Sequence, residues 1–255
     1  MEILRAENVS EKYQAENGEI NAFEAISFSV EKGEFLSIVG PSGCGKSTLL
    51  SVIAGLVKPT GGRVLVEGEP VTGTSPHVGY MLQRDNLLEW RTILDNVLFG
   101  LEIQRAKTPE NVARAQRLLE TYGLAEFAQK YPRQLSGGMR QRVALIRTLA
   151  AGPDILLLDE AFSALDYQTR LAVTDDVYGI LKKEGVTTLM VTHDIPESIS
   201  MGDRVMILSA RPARVQDILT IDFGPERTPL GCRSHPNFAK YFDYIWKELS
   251  QNETT

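Results

Sequence analysis

The sequence predicts an α/β fold with an inserted helical subdomain. Three observations carry this. A short apolar run, Phe35 to Val39, leads through a glycine-rich loop into the helical spacing of Leu49, Leu50 and Ile53. Two further apolar runs, Ile155 to Leu158 and Thr187 to Val191, alternate with helical stretches, as buried strands of a helix-covered sheet do. From Leu94 to Gly123 the pattern is helical only, so the strand–helix alternation is interrupted by an insertion.

Composition narrows the class. A chain of 255 residues with 43% hydrophobic and 24% charged residues can bury a full core. The net charge of -6 argues against nucleic acid as a main partner, because affinity there rests on basic patches. No apolar run approaches the ~20 residues needed to span a bilayer, and the N-terminus lacks the apolar core of a signal peptide. Two cysteines, Cys44 and Cys232, make no disulfide framework and no C-x-x-C pair, which fits a reducing, cytosolic setting.

The elements follow in order. Ile3 to Asn8 reads as a strand, and Ile26, Phe28 and Val30 alternate with polar neighbours as a second strand with one wet face. Tyr13, an aromatic in a polar stretch, is either surface or a stacking platform for a purine base. The loop after Val39 is Gly40, Pro41, Ser42, Gly43, Cys44, Gly45, Lys46, Ser47, Thr48, the phosphate-loop pattern G-x-x-x-x-G-K-[ST] between a strand and a helix. Its glycines let backbone N–H groups approach a polyphosphate, and the following helix presents its positive end to the same anion. Lys46 can reach the β- and γ-phosphates and the Ser47 hydroxyl can ligate Mg²⁺. Cys44 reads as a small residue that fits the loop.

After breaks at Gly55, Pro59, Gly61 and Gly62, residues Arg63 to Val66 and Val78 to Leu82 read as strands, with Gln83 directly following. Leu94, Val97, Leu98 and Leu101 share one helix face. Pro109 starts a second helix that Gly123 ends. The helical subdomain is placed at about 88–150. In LSGGMRQR, residues 135–142, Ser136 is an N-cap for a helix from about Met139 to Ala151, and Gly137 and Gly138 expose N–H groups at its start, a second potential anion site. ILLLDE, residues 155–160, ends a buried strand in two carboxylates. Asp159 can hold Mg²⁺ and Glu160 can orient and deprotonate an attacking water, the alternative being that one of them caps the next helix. Gln168 to Glu184 is an amphipathic helix. Thr187 to Val191 ends near His193, at the strand edge where parallel sheets place ligand-binding groups, and Asp194 is an N-cap. Arg204 to Leu208 is a further strand. Phe238, Tyr241, Phe242, Ile245 and Leu249 have the spacing of a docked terminal helix.

Together GPSGCGKST, Gln83, LSGGMRQR, ILLLDE, SALD at 163–166 and His193 resemble the ATP-binding subunits of ABC transporters, in the right order and over nearly the whole chain. The resemblance implies an α/β P-loop NTPase domain over 1–235, with a mixed core sheet, an N-terminal antiparallel β subdomain and the inserted helical subdomain, followed by a C-terminal helix and tail over 236–255, with ATP and Mg²⁺ as ligands. It implies that Tyr13 stacks on adenine and that Gln83 contacts Mg²⁺ and attacking water. Ser136, Gly137 and Gly138 would cap the γ-phosphate of ATP held by another subunit, Asp166 would link the two sites, and His193 would contact the γ-phosphate. The metal set is then Ser47, Gln83 and Asp159, and the catalytic set Glu160, His193, Lys46 and Gln83. The implied partners are a second ATPase subunit (identical or a close homologue), integral membrane permease subunits and, indirectly, a periplasmic or lipid-anchored solute-binding protein. The implied location is the cytoplasmic face of the cell membrane. Residues 87–104 and 205–215 resemble the importers of nitrate, sulfonates, taurine or bicarbonate, departing at Glu89, where proline is usual, and at Ala213, where glycine is usual. The rivals are a soluble ABC-type ATPase acting on DNA or ribosomes, and a kinase with a similar loop.

Overall fold

The computed structural model describes residues 1–15, 18–224 and 227–250; residues 251–255 of the expected tail lie outside them. Strands β1 (Glu2–Ala15) and β2 (Gly18–Glu31) pair antiparallel. Both are longer than the apolar alternation indicates. Asn8 and Ala25 take positive φ, 47° and 51°, and the β1–β2 register shifts between Ala6 and Val9. Such a bulge breaks the period-2 pattern while the strand continues. Tyr13 therefore sits in a strand.

β3 (Phe35–Val39) is buried at every position and runs through the phosphate loop into α1 (Lys46–Ile53). β4 (Gly61–Val66) and β5 (Glu69–Pro70) complete a four-stranded antiparallel sheet in the order β2-β1-β4-β5. β6 (Val78–Met81) precedes the helical stretch. There α2 (Ile93–Ile103) is capped by Thr92, α3 (Pro109–Thr121) by Thr108 with Pro109 in its first turn, and α4 (Gly137–Ala150) by Ser136. α4 begins two residues before the expected Met139, because Gly137 and Gly138 are helical rather than loop.

β7 (Ile155–Asp159) leads to α5 (Tyr167–Glu184), capped by Asp166 and ended by Gly185 at φ 66°. β8 (Thr187–Val191) leads to α6 (Ile195–Met201), capped by Asp194 as expected. β9 (Arg204–Leu208) and β10 (Val215–Thr220) form an antiparallel pair. The short α7 (Pro229–Cys232) and α8 (Phe238–Ser250) follow. β10 and α7 have no clear sequence pattern.

The core sheet has the order β10-β9-β3-β8-β7-β6, parallel except at β10. One face carries Leu36, Ile38, Leu157 and Leu189, packed with Leu49, Leu50 and Ile53 of α1 beneath Leu4, Ile26 and Val30 of the antiparallel sheet. The other face carries Leu156, Leu158 and Met190 against α2, α3, α4 and α5. Leu157, on the first of these faces, is 0% exposed, and truncating it to alanine costs roughly 2–5 kcal/mol. A third cluster seats Ile245 of α8, with Phe238, Tyr241, Phe242 and Leu249 beside it, on α6 and β9, so the terminal helix is docked as its spacing predicts.

This topology sets the site. β3, β8, β7 and β6 are adjacent and parallel, so their carboxyl ends lie along one edge. Register places Asp159 opposite Val191, Ile38 opposite Val191, and Met81 opposite Leu158. The phosphate loop, Gln83, the acid pair and His193 all follow directly from these four ends.

Candidate active site at the carboxyl edge of the sheet

The phosphate loop closes because two of its glycines take a backbone that side chains disfavour: Gly43 at φ 74° and Gly45, the N-cap of α1, at φ 113°. Lys46 is buried at 6% exposure, and its Nζ donates to the carbonyls of Gly40 at 2.8 Å and Pro41 at 2.9 Å. Its ammonium thus lies across the loop. Cys44 is buried against Gly40, and burial, more than Lys46 offsets, pushes its thiol pKa up, so it is an inert filler. Ser42 lies on the exposed rim. Tyr13 Oη donates to Thr48 Oγ1 at 3.2 Å, which brings the aromatic beside the loop.

Ser47 Oγ donates to Asp159 Oδ1 at 2.7 Å, and Tyr80 Oη donates to Oδ2 at 3.1 Å. Burial first, with Asp159 adding to it and Ser51 opposing, pushes Tyr80 up to about 12, so it stays a donor. Hydroxyl and carboxylate oxygens here are hard ligands of the type Mg²⁺ takes. Among the described residues no group of three His, Cys, Asp or Glu gathers, and Mg²⁺ held by one carboxylate plus substrate phosphates needs none.

Glu160 is a non-glycine residue at φ 46°, a conformation with a steric cost. Two bonds hold it. Its N–H donates to Val191 O at 2.9 Å, and Ser163 Oγ donates to its carbonyl at 2.9 Å. The kink turns the side chain off the line of β7, and its Oε2 meets His193 Nδ1 at 3.2 Å. Neither Asp159 nor Glu160 caps the next helix; Asp166 does, accepting from Thr169 N–H at 3.1 Å. The Thr169 side chain first, with that backbone bond adding to it, holds the Asp166 carboxyl below the usual carboxylate range. Gln83 Nε2 donates to Ser163 Oγ at 3.0 Å. The structure thus ties Gln83 to the SALD loop, whereas the expected metal set pairs it with Ser47 and Asp159.

The signature opens α4. Ser136 and Gly137 are exposed, and Ser136 Oγ accepts from Met139 N–H at 3.3 Å. The two glycines differ. A Cβ on Gly138 would meet Val173 Cγ2 at 2.9 Å and Thr169 Cγ2 at 3.1 Å, so glycine there lets α4 lie close to α5. A Cβ on Gly137 would meet only Leu165 Cδ2 at 3.4 Å, an ordinary contact.

The family model described as ABC transporter matches residues 23–163, a stretch that holds the phosphate loop, Gln83, the signature and the acid pair. The chain belongs to the ABC transporter family. It is an ATP-binding, ATP-hydrolysing chain of that family, which removes the kinase reading. It is 46% identical to an uncharacterized ABC transporter ATP-binding protein, YtlC of Bacillus subtilis, over 99% of this chain and 98% of that one. It is 40% identical to the nitrate import ATP-binding protein NrtD of Synechocystis sp., over 98% and 96%. It is 35% identical to the taurine import ATP-binding protein TauB of Roseobacter denitrificans, over 95% and 94%. In fold it matches the dimeric post-hydrolysis structure of the ATP-binding cassette MJ0796 bound to ADP and Pi, with a TM-score of 0.72 and 30% identity over 87% of this chain and 100% of that one.

Three side chains of the ABC cassette's site escape sequence reasoning. Tyr80 and Ser163 bond to residues about 80 positions away, and Glu197 lies beneath His193 on α6. Burial drives the Glu197 carboxyl up to about 7, with Asp194 adding to the rise and Thr192, Arg170 and His193 opposing it. In IPESISM an acid in the first turn reads as an ordinary helix-start residue, so no local signal points to it. Ala213, one of the two branch departures, has a structural role. It is fully buried and bonds Ala22 and Glu24 of β2, anchoring the β9–β10 loop beside the loop that Arg211 reaches at Gly43.

Proposed function

We propose that this chain is the ATP-hydrolysing subunit of an importer for a small anionic solute, paired with a second ATPase subunit on membrane permease subunits at the cytoplasmic face of the membrane. A separate solute-binding protein would deliver the solute. What carries the chemistry of this reading is the convergence of four strand ends on one edge, with Lys46, Ser47–Asp159, Gln83–Ser163 and Glu160–His193 along it. The import relatives named for nitrate and taurine support the solute class. No helix among the described residues is long and apolar enough to cross a membrane; in this reading the permease partner supplies the attachment. The relatives lend no support to action on DNA or ribosomes. We assign residues 1–235 to the ATPase domain, with the helical insertion at about 88–150, and residues 236–255 to the C-terminal helix and tail.

In this reading Tyr13 stacks on the adenine, and residues 40–48 wrap the phosphates with their N–H groups. Lys46 places its charge at the β- and γ-phosphates. Ser47 and Asp159, with Gln83 as a further oxygen donor, would hold Mg²⁺, which would supply positive charge against the phosphate oxygens. Glu160 accepts the proton of the attacking water as its oxygen bonds to the γ-phosphorus and the bond to ADP breaks. His193 fixes the Glu160 carboxylate through Nδ1 and contacts the γ-phosphate. Ser136, Gly137 and Gly138 of the other subunit close the site, and Asp166 lies at the junction. ATP then holds two chains together and hydrolysis releases them, a differential affinity of the kind a coupled change requires.

Glu160→Gln tests this. The variant keeps ATP binding and loses roughly 10²–10⁴-fold in turnover. Unchanged turnover removes Glu160 from its role. Co-purification of the chain with an integral membrane protein tests the transport part separately.

A further inference from the structure

The segment from Gln83 to Thr92 is held by a charge cluster that the proposed chemistry does not use. Arg140, in the first turn of α4, spreads its guanidinium over two acids. Nε donates to Asp85 Oδ2 at 2.9 Å and Nη2 to Asp85 Oδ1 at 3.1 Å, while Nη2 also reaches Glu89 Oε1 at 2.8 Å. Further along α4, Arg147 donates to the carbonyls of Asp85 and Asn86, both at 2.7 Å. From α2 the fully buried Asn96 accepts from Leu88 N–H at 2.7 Å and donates to Leu88 O at 3.1 Å. At its start the segment is bonded to Ser163 through Gln83. One strap therefore has its first residue in the active site and its body fastened to the helix that carries Ser136 and Gly137.

We propose that Arg140 is a positioning residue: its fork onto Asp85 and Glu89 fixes the Gln83 segment to the signature helix, so that displacing one displaces the other. This rests on the reading that the signature acts on ATP bound by another chain. The two arms differ in weight. The Asp85 and Arg140 side chains are 21% and 24% exposed and paired by two parallel bonds, the strong form of this contact. Burial works against the Asp85 charge, yet hydrogen bonds from Arg140 and Leu87 N–H, with the charge of Arg147, hold its carboxyl below the usual range. Glu89 is 53% exposed and contributes as exposed pairs do, weakly. Next to it Trp90 stands 76% exposed, a handle through which a force on the strap would reach α4.

The test uses the full chain with Arg140→Gln, Glu89→Gln and the reversed pair Asp85→Arg with Arg140→Asp. Arg140→Gln lowers kcat about 10-fold, within the range that coupling residues show, while affinity for a fluorescent ATP analogue stays within about twofold. Glu89→Gln changes kcat by about twofold or less. The reversed pair recovers part of the loss seen in either single reversal. Independently of turnover, Arg140→Gln speeds amide exchange at Leu87 and Leu88 together with Met139. Wild-type kcat in Arg140→Gln, or exchange that loosens in only one of the two segments, overturns the proposal. A reversed pair no better than its singles does the same. If the unaltered chain turned over no ATP, the functional reading would fail, and the exchange measurement would still decide the coupling.

Discussion

Two helix N-termini in this chain carry glycines and N–H groups suited to an anion, and they are built in opposite ways. At α1 the functional side chains are bonded across elements: Tyr13 to Thr48, Ser47 and Tyr80 to Asp159, Gln83 to Ser163, Glu160 to His193. At α4 Ser136 caps its own helix and, with Gly137, faces outward. The first end is a prearranged pocket. The second is half of a contact, supported from behind by Arg140 and by the close approach of α5 at Gly138. A helix N-terminus alone does not distinguish these cases; what backs it does.

The largest test of that contrast is a pair of alanines one residue apart. At Gly137 an added methyl meets only Leu165 Cδ2 within the chain, at 3.4 Å, so Gly137→Ala leaves the fold intact. On the proposed reading the same methyl intrudes on the partner's phosphate, and turnover falls by about 10²-fold, as an ångström-scale misplacement does. Gly138→Ala acts inward instead: the clash with Val173 and Thr169 costs roughly 1–3 kcal/mol in denaturant unfolding. If Gly137→Ala turns over ATP normally, the outward half of the contrast collapses.

The wired end carries a liability that the outward end lacks. Glu197 is buried at 4% exposure beneath His193, with Asp194, Arg170 and His193 as the charged groups facing it, and its folded pKa is raised from 4.5 to about 7. The folded state therefore holds that proton more tightly than the unfolded chain. The stability this contributes is fully present below about pH 4.5 and is lost as pH rises through about 7. Glu197→Gln keeps a neutral group in place and removes the loss. Between pH 5 and pH 8 the wild type should fall relative to the variant by roughly 1–3 kcal/mol, read from denaturant midpoints. Parallel curves would mean that water reaches the carboxyl.

What was legible in the sequence was whatever is encoded locally. The strand, loop and helix around Lys46 form a linear motif, and Ser136 and Asp194 announce their helices as caps. The ends of β1 and β2 were not legible, because bulges at Asn8 and Ala25 erase the alternation that defines a strand. The wiring was not legible either, since Tyr80–Asp159 and Gln83–Ser163 join residues about 80 apart and depend on strand order. Arg227 shows the same limit. Its side chain is 6% exposed and donates to Tyr178 Oη, Met201 O, Gly202 O and Asp203, partners that no local pattern encodes. Asp166 was singled out for a role toward a second chain, while its local work as the cap of α5 went unseen.

The smallest effect separates two ways in which Tyr13 joins the wired end. Its hydroxyl bonds Thr48 at 3.2 Å, and the side chain is 41% exposed, so this bond competes with water and contributes little. Its ring offers a flat face beside the phosphate loop, and stacking on a base contributes about 1–3 kcal/mol where it is made. Tyr13→Phe keeps the ring and should leave ATP affinity within about twofold. Tyr13→Leu keeps an apolar side chain without the aromatic face and should weaken ATP about 5-fold or more, with no greater loss for the triphosphate than for the diphosphate, because the contact is to the base. If Phe and Leu weaken binding equally, the hydroxyl-to-Thr48 bond is what shapes the loop. Tyr13 would then belong with Ser47 and Ser163 as a tether rather than as a platform for the nucleotide.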